Sequence, residues 1–206
     1  MASPLTTLRR LRHHNGWIFG TMLVSAALSL LASFVLSVDA VQLAADPQAA
    51  LSCNINTVIS CGTVANSWQA SLFGFPNAFL GLMAEPVVIT IAVASLGGVT
   101  FPRWFMFAAQ IVYTAGFAFA YWLLYQSMFV IGALCPWCLL VTVSTTLVFA
   151  TLTHVNIRDG NVPLPRRARE ALKDAVEADL DAIVVTIWLL LLALAVVSKY
   201  GNALFE

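Results

Sequence analysis

The chain has 206 residues, of which 60% are hydrophobic and 10% charged, with a formal net charge of zero and a mean hydropathy of +0.87. A soluble domain carries roughly 25% charged residues, so a soluble globular fold is excluded. No cluster of Lys and Arg is interleaved with aromatics, so nucleic acid has no electrostatic footprint here.

Apolar runs of about 20 residues are long enough to span a bilayer, and they occur at residues 16–36, 75–96, 104–124 and 134–152, with a shorter fifth at 182–198. Arg9, Arg10 and Arg12 precede the first run and Val38-Asp39-Ala40 is a weak cleavage site. The run nevertheless exceeds the 7 to 15 residues of a signal-peptide core, so an uncleaved anchor is expected. The following loop is polar over 39–50, carries Cys53 and Cys61, and becomes apolar over 68–75, where Ser67, Trp68, Leu72 and Phe73 suit a short interfacial helix. Tryptophan favours headgroup depth, so Trp68 reads equally as an ordinary belt residue.

Gly74 and Pro76 mark the turn into span two, with Asn77 near its outer end. Glu85 falls mid-span, where a carboxylate costs about 2.5–3.5 kcal/mol on insertion scales and must face the bundle. It fits a proton path or, more simply, a polar contact such as a hydrogen bond to Tyr113 or Tyr121. Span four opens with Cys135 at or beside the expected N-cap, Pro136 near N1 and Cys138 one turn in; a helix N-terminus stabilises a thiolate. Residues 166–181 alternate sign, with four basic and five acidic residues, and are expected to form a solvated helix.

The 154–181 segment is too short to enclose a core of its own. The expected organisation is therefore one membrane domain: a four-helix core over 1–153, a cytoplasmic linker helix over 154–181, and a fifth transmembrane helix with a short exterior tail over 182–206. Nine of the ten Lys and Arg residues lie before span one, between spans two and three, or between four and five; Lys199 is the exception. Basic residues stay cytoplasmic, which puts the N-terminus inside, the C-terminus outside, and both cysteine pairs on the exterior, oxidising face where disulfides persist.

A C-x-x-C at a helix start places two sulfurs within one turn, able to cycle between dithiol and disulfide. With Cys53 and Cys61 on the same face, it fits a relay by thiol–disulfide exchange. Three other readings fit four cysteines: a zinc site, covalent haem attachment, which needs C-x-x-C-H whereas Leu139 follows Cys138, and two inert structural disulfides. On the last reading the chain is a non-catalytic membrane scaffold or transport subunit with stapled loops.

The segment Cys53-Asn54-Ile55-Asn56-Thr57-Val58-Ile59-Ser60-Cys61, then Ser67, Phe73-Gly74-Phe75-Pro76-Asn77 and Gly81, then Cys135-Pro136-Trp137-Cys138 opening a helix, closely resembles the vitamin K epoxide reductase family, its bacterial branch above all. The resemblance covers about residues 16–152. It implies an all-α integral membrane protein with a four-helix bundle around a quinone, menaquinone or ubiquinone, and the generation of disulfides in the bacterial inner membrane. By the same resemblance Cys53, Cys61, Cys135 and Cys138 are catalytic. A separate exterior thioredoxin-fold thiol oxidase is oxidised through Cys53, Cys61 exchanges with Cys135, and Cys138 passes electrons to the quinone. Asn77 would donate a hydrogen bond to a quinone carbonyl and Ser67 would hold the loop or ligand; the alternatives are a cap of span two for Asn77 and the start of the interfacial helix for Ser67, and the cost of polar groups in hydrocarbon favours the ligand role for Asn77. The sequence departs from the animal enzymes at Thr142, where they carry tyrosine, so plain quinone reduction is better supported than epoxide reduction. Many bacterial relatives carry a fused thioredoxin-like domain; this chain stops at Glu206, so the partner is expected to be a separate protein. The unrelated four-helix disulfide-generating quinone reductases share the reaction but should lack the Ser67 and Pro76-Asn77 pattern.

Overall fold

The computed structural model describes residues 14–205 apart from 50, 52 and 57, so Arg9, Arg10 and Arg12 lie outside the described residues. Five long helices dominate: α1 (Asn15–Ala45), α3 (Ala78–Leu96), α4 (Arg103–Tyr125), α5 (Pro136–Arg158) and α7 (Leu180–Phe205). Two short ones, α2 (Cys61–Ala65) and α6 (Arg166–Glu177), lie in the connections. Each long helix is apolar enough to cross a membrane, and in hydrocarbon only a helix or a closed barrel satisfies every backbone N–H and C=O. The chain is an all-α, multi-pass membrane protein.

The helices overrun the apolar stretches that announce them. Residues 37–45, expected as loop, continue α1 to Ala45. The stretch contains neither Gly nor Pro, and Leu43 is buried against the cysteine loop, so side-chain packing extends the helix beyond the run that hydropathy detects. The third span continues through a π-helical turn over Gln126–Ile131 and reverses at Gly132, whose φ of 78° lies in the left-handed region that glycine occupies at no steric cost. The interfacial helix is a single 3-10 turn, Trp68–Ser71. Pro76 lies in the turn before α3, as expected, whereas Pro86 lies inside α3.

α1 lies along both α3 and α5, and α4 lies against α5. Its buried residues Ser25, Ser29, Ser33 and Ser37 recur every fourth position and therefore share one face. Lipid tails are as apolar as leucine, so helices in a bilayer associate through close packing of small residues. Ser33 illustrates this: its side chain occupies the space that a Cβ at Gly81 would need. Toward the end remote from the cysteines, Ile18, Phe19, Met22, Ile91, Val148 and Leu152 form an apolar core.

α7 is peripheral, with most of its apolar surface exposed outside the bundle. Val196 and Tyr200 pack on Leu124, Met128 and Leu134, and the Tyr200 hydroxyl donates to the Met128 carbonyl at 3.2 Å. At its other end His154 Nδ1 and Asp181 Oδ2 are 2.7 Å apart.

Gly81→Val should force α1 and α3 apart at a cost of about 1–3 kcal/mol, read as a lower unfolding temperature in detergent. Gly116→Ala, where a Cβ meets nothing within 4 Å, should leave that temperature unchanged.

Candidate active site

The two cysteine-bearing segments are joined by backbone. Ser60 N–H donates to the Leu134 carbonyl at 3.1 Å and Leu134 N–H to the Val58 carbonyl at 2.8 Å, an isolated parallel bridge between Ile59 and Leu134. In parallel register the chain beyond each partner runs the same way, so Cys61 and Cys135 are brought side by side. Local hydrogen bonds hold both segments in shape. Asn56 Oδ1 accepts from the N–H groups of Val58 at 3.0 Å and Ile59 at 2.7 Å. Asn54 Oδ1 accepts from Ser60 Oγ at 3.0 Å and Gly62 N–H at 2.9 Å. On the other side Ser127 Oγ donates to the Ala133 carbonyl at 2.5 Å.

Cys61 begins α2, capped by Ser60, whose hydroxyl accepts from Thr63 N–H at 3.2 Å. Cys135 is the N-cap of α5, with Pro136 following. Cys53 and Cys61 form a disulfide, while Cys135 and Cys138 are free thiols. The Cys135 Sγ lies 3.4 Å from the Cys61 Sγ, within the range of about 3–3.5 Å for reacting atoms poised to combine. Cys53, Cys61 and Cys135 are all buried, in a cluster with Leu43 and Leu51.

The Cys138 thiol donates to Cys135, and the backbone N–H groups of Cys138 and Trp137 add to it, the first of these at 3.2 Å. These hydrogen bonds hold the Cys135 thiol below its ordinary pKa, against the opposing effects of burial and of the Asp39 charge. A lowered pKa raises the thiolate fraction and makes a sulfur a better leaving group.

Asn77 is buried at the N-cap of α3, but its side chain makes no capping bond. Its Nδ2 donates instead to the Gln69 carbonyl at 2.6 Å, and its Oδ1 is buried without a hydrogen-bond partner. Ser67 precedes the 3-10 turn without capping it, and its hydroxyl donates to the Val64 carbonyl at 2.6 Å. Gln69 Nε2, 3.4 Å from Gln126 Oε1, links this turn to the end of the third span, where Trp68 also meets Trp122 edge-on at 6.3 Å. Thr142 is turned back on its own helix, donating to the Cys138 carbonyl at 3.0 Å.

Glu85 is buried; its Oε1 accepts from Ser29 at 2.8 Å and Tyr113 at 3.1 Å. Of the two tyrosines considered from sequence, Tyr121 is engaged elsewhere, with Thr146 and Trp188, each at 2.7 Å. The residue that sequence reasoning passed over is Asp39, read there as the start of a polar loop. It is buried on α1 with its Oδ2 3.7 Å from Cys53 Sγ. Its signal was available: no Lys or Arg occurs anywhere between residues 13 and 102, so any acidic residue buried there lacks a cation from that half of the chain.

The family model described as "Vitamin K epoxide reductase family" matches residues 21–153, which include both cysteine pairs, Ser67 and Asn77. No curated protein matches the chain. The chain belongs to the vitamin K epoxide reductase family.

In a Cys53→Ser variant, Cys61 and Cys135 should cross-link under mild oxidation, as read by mass mapping of disulfides. Because the Cys135 pKa is lowered, the reaction should persist below the pH at which an ordinary thiol becomes too protonated to react. Adding Cys138→Ala removes the leading hydrogen bond and should move that pH profile upward. Separately, Glu85→Gln retains the contacts to Ser29 and Tyr113, and turnover with a soluble quinone should stay within about twofold of wild type, about 0.4 kcal/mol in the barrier; a large loss would instead support a proton path.

Proposed function

We propose that the protein is a quinone-dependent disulfide-generating oxidoreductase. It reoxidises a separate thioredoxin-fold thiol oxidase outside the cell membrane and so supports disulfide formation in secreted proteins. The single observation that carries this reading is the 3.4 Å approach of Cys135 Sγ to Cys61 Sγ. Inert staples have no need of a free thiol against a disulfide.

The relay needs only thiolate attack on disulfide. A reduced partner attacks Cys53 of the loop disulfide, releasing Cys61, and is oxidised when its second thiol displaces Cys53. Cys61 then attacks Cys135 of an oxidised C-x-x-C pair and releases Cys138. Cys53 attacks Cys61, restores the loop disulfide, and leaves Cys135 and Cys138 reduced. The bonding described here, with the loop pair joined and the helix pair free, is the product of that last exchange.

A bound quinone would accept the two electrons and two protons given up when Cys135 and Cys138 re-form their disulfide. The residues fit such a ligand. Buried polar atoms without partners are rare in folded proteins, and Asn77 Oδ1 is one. Since Nδ2 is engaged by Gln69, the atom left over is an acceptor, suited to a quinol hydroxyl more than to the quinone carbonyl expected from sequence. Ser67 supports this site through the loop, its hydroxyl being committed to Val64.

The charge distribution supports an exterior cysteine face in a bacterial inner membrane. Arg103, Arg158, Arg166, Arg167, Arg169 and Lys173 belong to the connections at the opposite end of the bundle. Residues 1–153 then form the catalytic core, 154–181 the cytoplasmic linker, and 182–206 the fifth span with its exterior tail.

Purified protein with a soluble quinone should oxidise a reduced thioredoxin-fold protein, and Cys135→Ala should abolish this. Asn77→Ala should weaken binding of the quinol product about tenfold, read as a raised inhibition constant for added soluble quinol, the equivalent of one hydrogen bond of about 1.4 kcal/mol. No oxidation by the wild type, together with full cellular function of Cys135→Ala, would leave the scaffold reading in its place.

A further inference from the structure

The relay assigns an electron pair to every step but leaves the protons without a carrier. Cys53 must lose a proton before it can attack, because the thiolate is the nucleophile. It sits in a buried cluster with Leu43, Leu51, Cys61 and Cys135, screened from the water that would otherwise take that proton. The polar group at its sulfur is the Asp39 carboxylate, with Oδ2 at 3.7 Å. Asp39 is 7% exposed, and burying a carboxylate is costly. No Lys or Arg from residues 13–102 is available to offset that cost.

We propose that Asp39 is the general base for Cys53. As Cys53 attacks the Cys61 sulfur of a Cys61–Cys135 mixed disulfide, Asp39 Oδ2 takes the thiol proton. The Cys53–Cys61 bond forms and the Cys61–Cys135 bond breaks. The electron pair leaves on Cys135. One thiol, one disulfide and one carboxylate become one disulfide, one thiolate and one carboxylic acid, so charge and protons balance, and the proton then passes to water at this end of the bundle. The assignment rests on the relay proposed above.

The placement of Asp39 does more than supply a base. Its charge opposes a thiolate at Cys135, and that opposition ends when the carboxylate takes up the proton. Neutralisation therefore coincides with the appearance of negative charge on the departing Cys135 sulfur, which the Cys138 thiol and the N–H groups of α5 receive. The net negative charge moves from one buried group to another and is never doubled. The sulfur groups packed together beside Asp39 are Cys53 from the loop, Cys61 from α2, and Cys135 and Cys138 from α5.

The test is single-turnover oxidation of fully reduced, purified protein by a soluble short-chain quinone, with acid quenching and mass mapping of disulfides. General-base catalysis contributes about 10²-fold or more. In Asp39→Asn, resolution of the Cys61–Cys135 disulfide should therefore slow by about that factor, and the species with Cys53 free should accumulate. Asp39→Glu, which keeps a carboxylate, should fall between Asn and wild type. Should Asp39→Asn not assemble, Asp39→Ser replaces it with the same expectation. A wild-type resolution rate in Asp39→Asn, or a slower rate in Asp39→Glu than in Asp39→Asn, overturns the assignment while leaving the relay intact. If wild-type protein reoxidises its loop pair without passing through a Cys61–Cys135 disulfide, the relay fails and the role of Asp39 with it.

Discussion

Two backbone hydrogen bonds between the Val58–Ser60 segment and Leu134 are the constraint on which the site depends. Local hydrogen bonds on both sides keep them in place. Asn56 and Asn54 shape the loop from within, Ser127 fixes the strand-like residue before Leu134, and Gly132 allows the reversal that brings the chain back toward α5. A loop of this length in a membrane protein has few ways to hold a sulfur to within a fraction of an ångström. Side-chain packing alone leaves a loop mobile, whereas a bridge in fixed register transfers the rigidity of α5 to Cys61.

The bundle beneath supplies that rigidity with little hydrophobic driving force, since its outer surface is as apolar as its lipid surroundings. Its cohesion comes from close approach and from hydrogen bonds between polar groups of different helices in the interior. The serine ladder of α1 against Gly81 is one device. The Ser29–Glu85–Tyr113 cluster is another, linking α1, α3 and α4 through one carboxyl. Such groups are costly in hydrocarbon unless paired, so each pair penalises any arrangement that separates its helices. α7 lies outside this interior and is held along its length by the Trp188 N–H on the Tyr121 hydroxyl, by Val196 and Tyr200, and by the His154–Asp181 pair.

The number and order of the spans were legible in the sequence, because hydrocarbon imposes a length and a composition that no other environment imposes. The C-x-x-C at a helix start was legible for a similar reason: Cys135 and Pro136 are good choices for the N-cap and first helical position, and the observed cap is the expected one. The helix ends were less legible. Hydropathy marks where water begins and not where a helix stops, and α1 runs on to Ala45 because Leu43 finds a partner in a loop distant in sequence. The same long-range contact hid Asp39, which pattern alone places in solvent. Asn77 was legible as an unusual polar residue at a helix start, but its orientation was not. The carbonyl that takes its amide nitrogen belongs to Gln69, in a turn whose path no local signal specifies.

Thiol–disulfide exchange among four cysteines is close to reversible, so the direction of electron flow must come from small asymmetries between the sulfurs. The geometry provides one at each end of the exchanging pair. Cys135 is met by N–H donors and by the Cys138 thiol, which stabilise negative charge on it as a leaving group. Cys53 is met by a carboxylate, which disfavours a thiolate there and favours either a thiol or a sulfur in a disulfide. Negative charge is therefore stabilised on the helix sulfur and destabilised on the loop sulfur. When Cys53 and Cys135 compete for Cys61, the disulfide belongs with the loop and the reducing equivalents with α5, one turn from Cys138. A relay built this way draws electrons inward from a partner at the surface without needing any difference in the intrinsic chemistry of its four thiols.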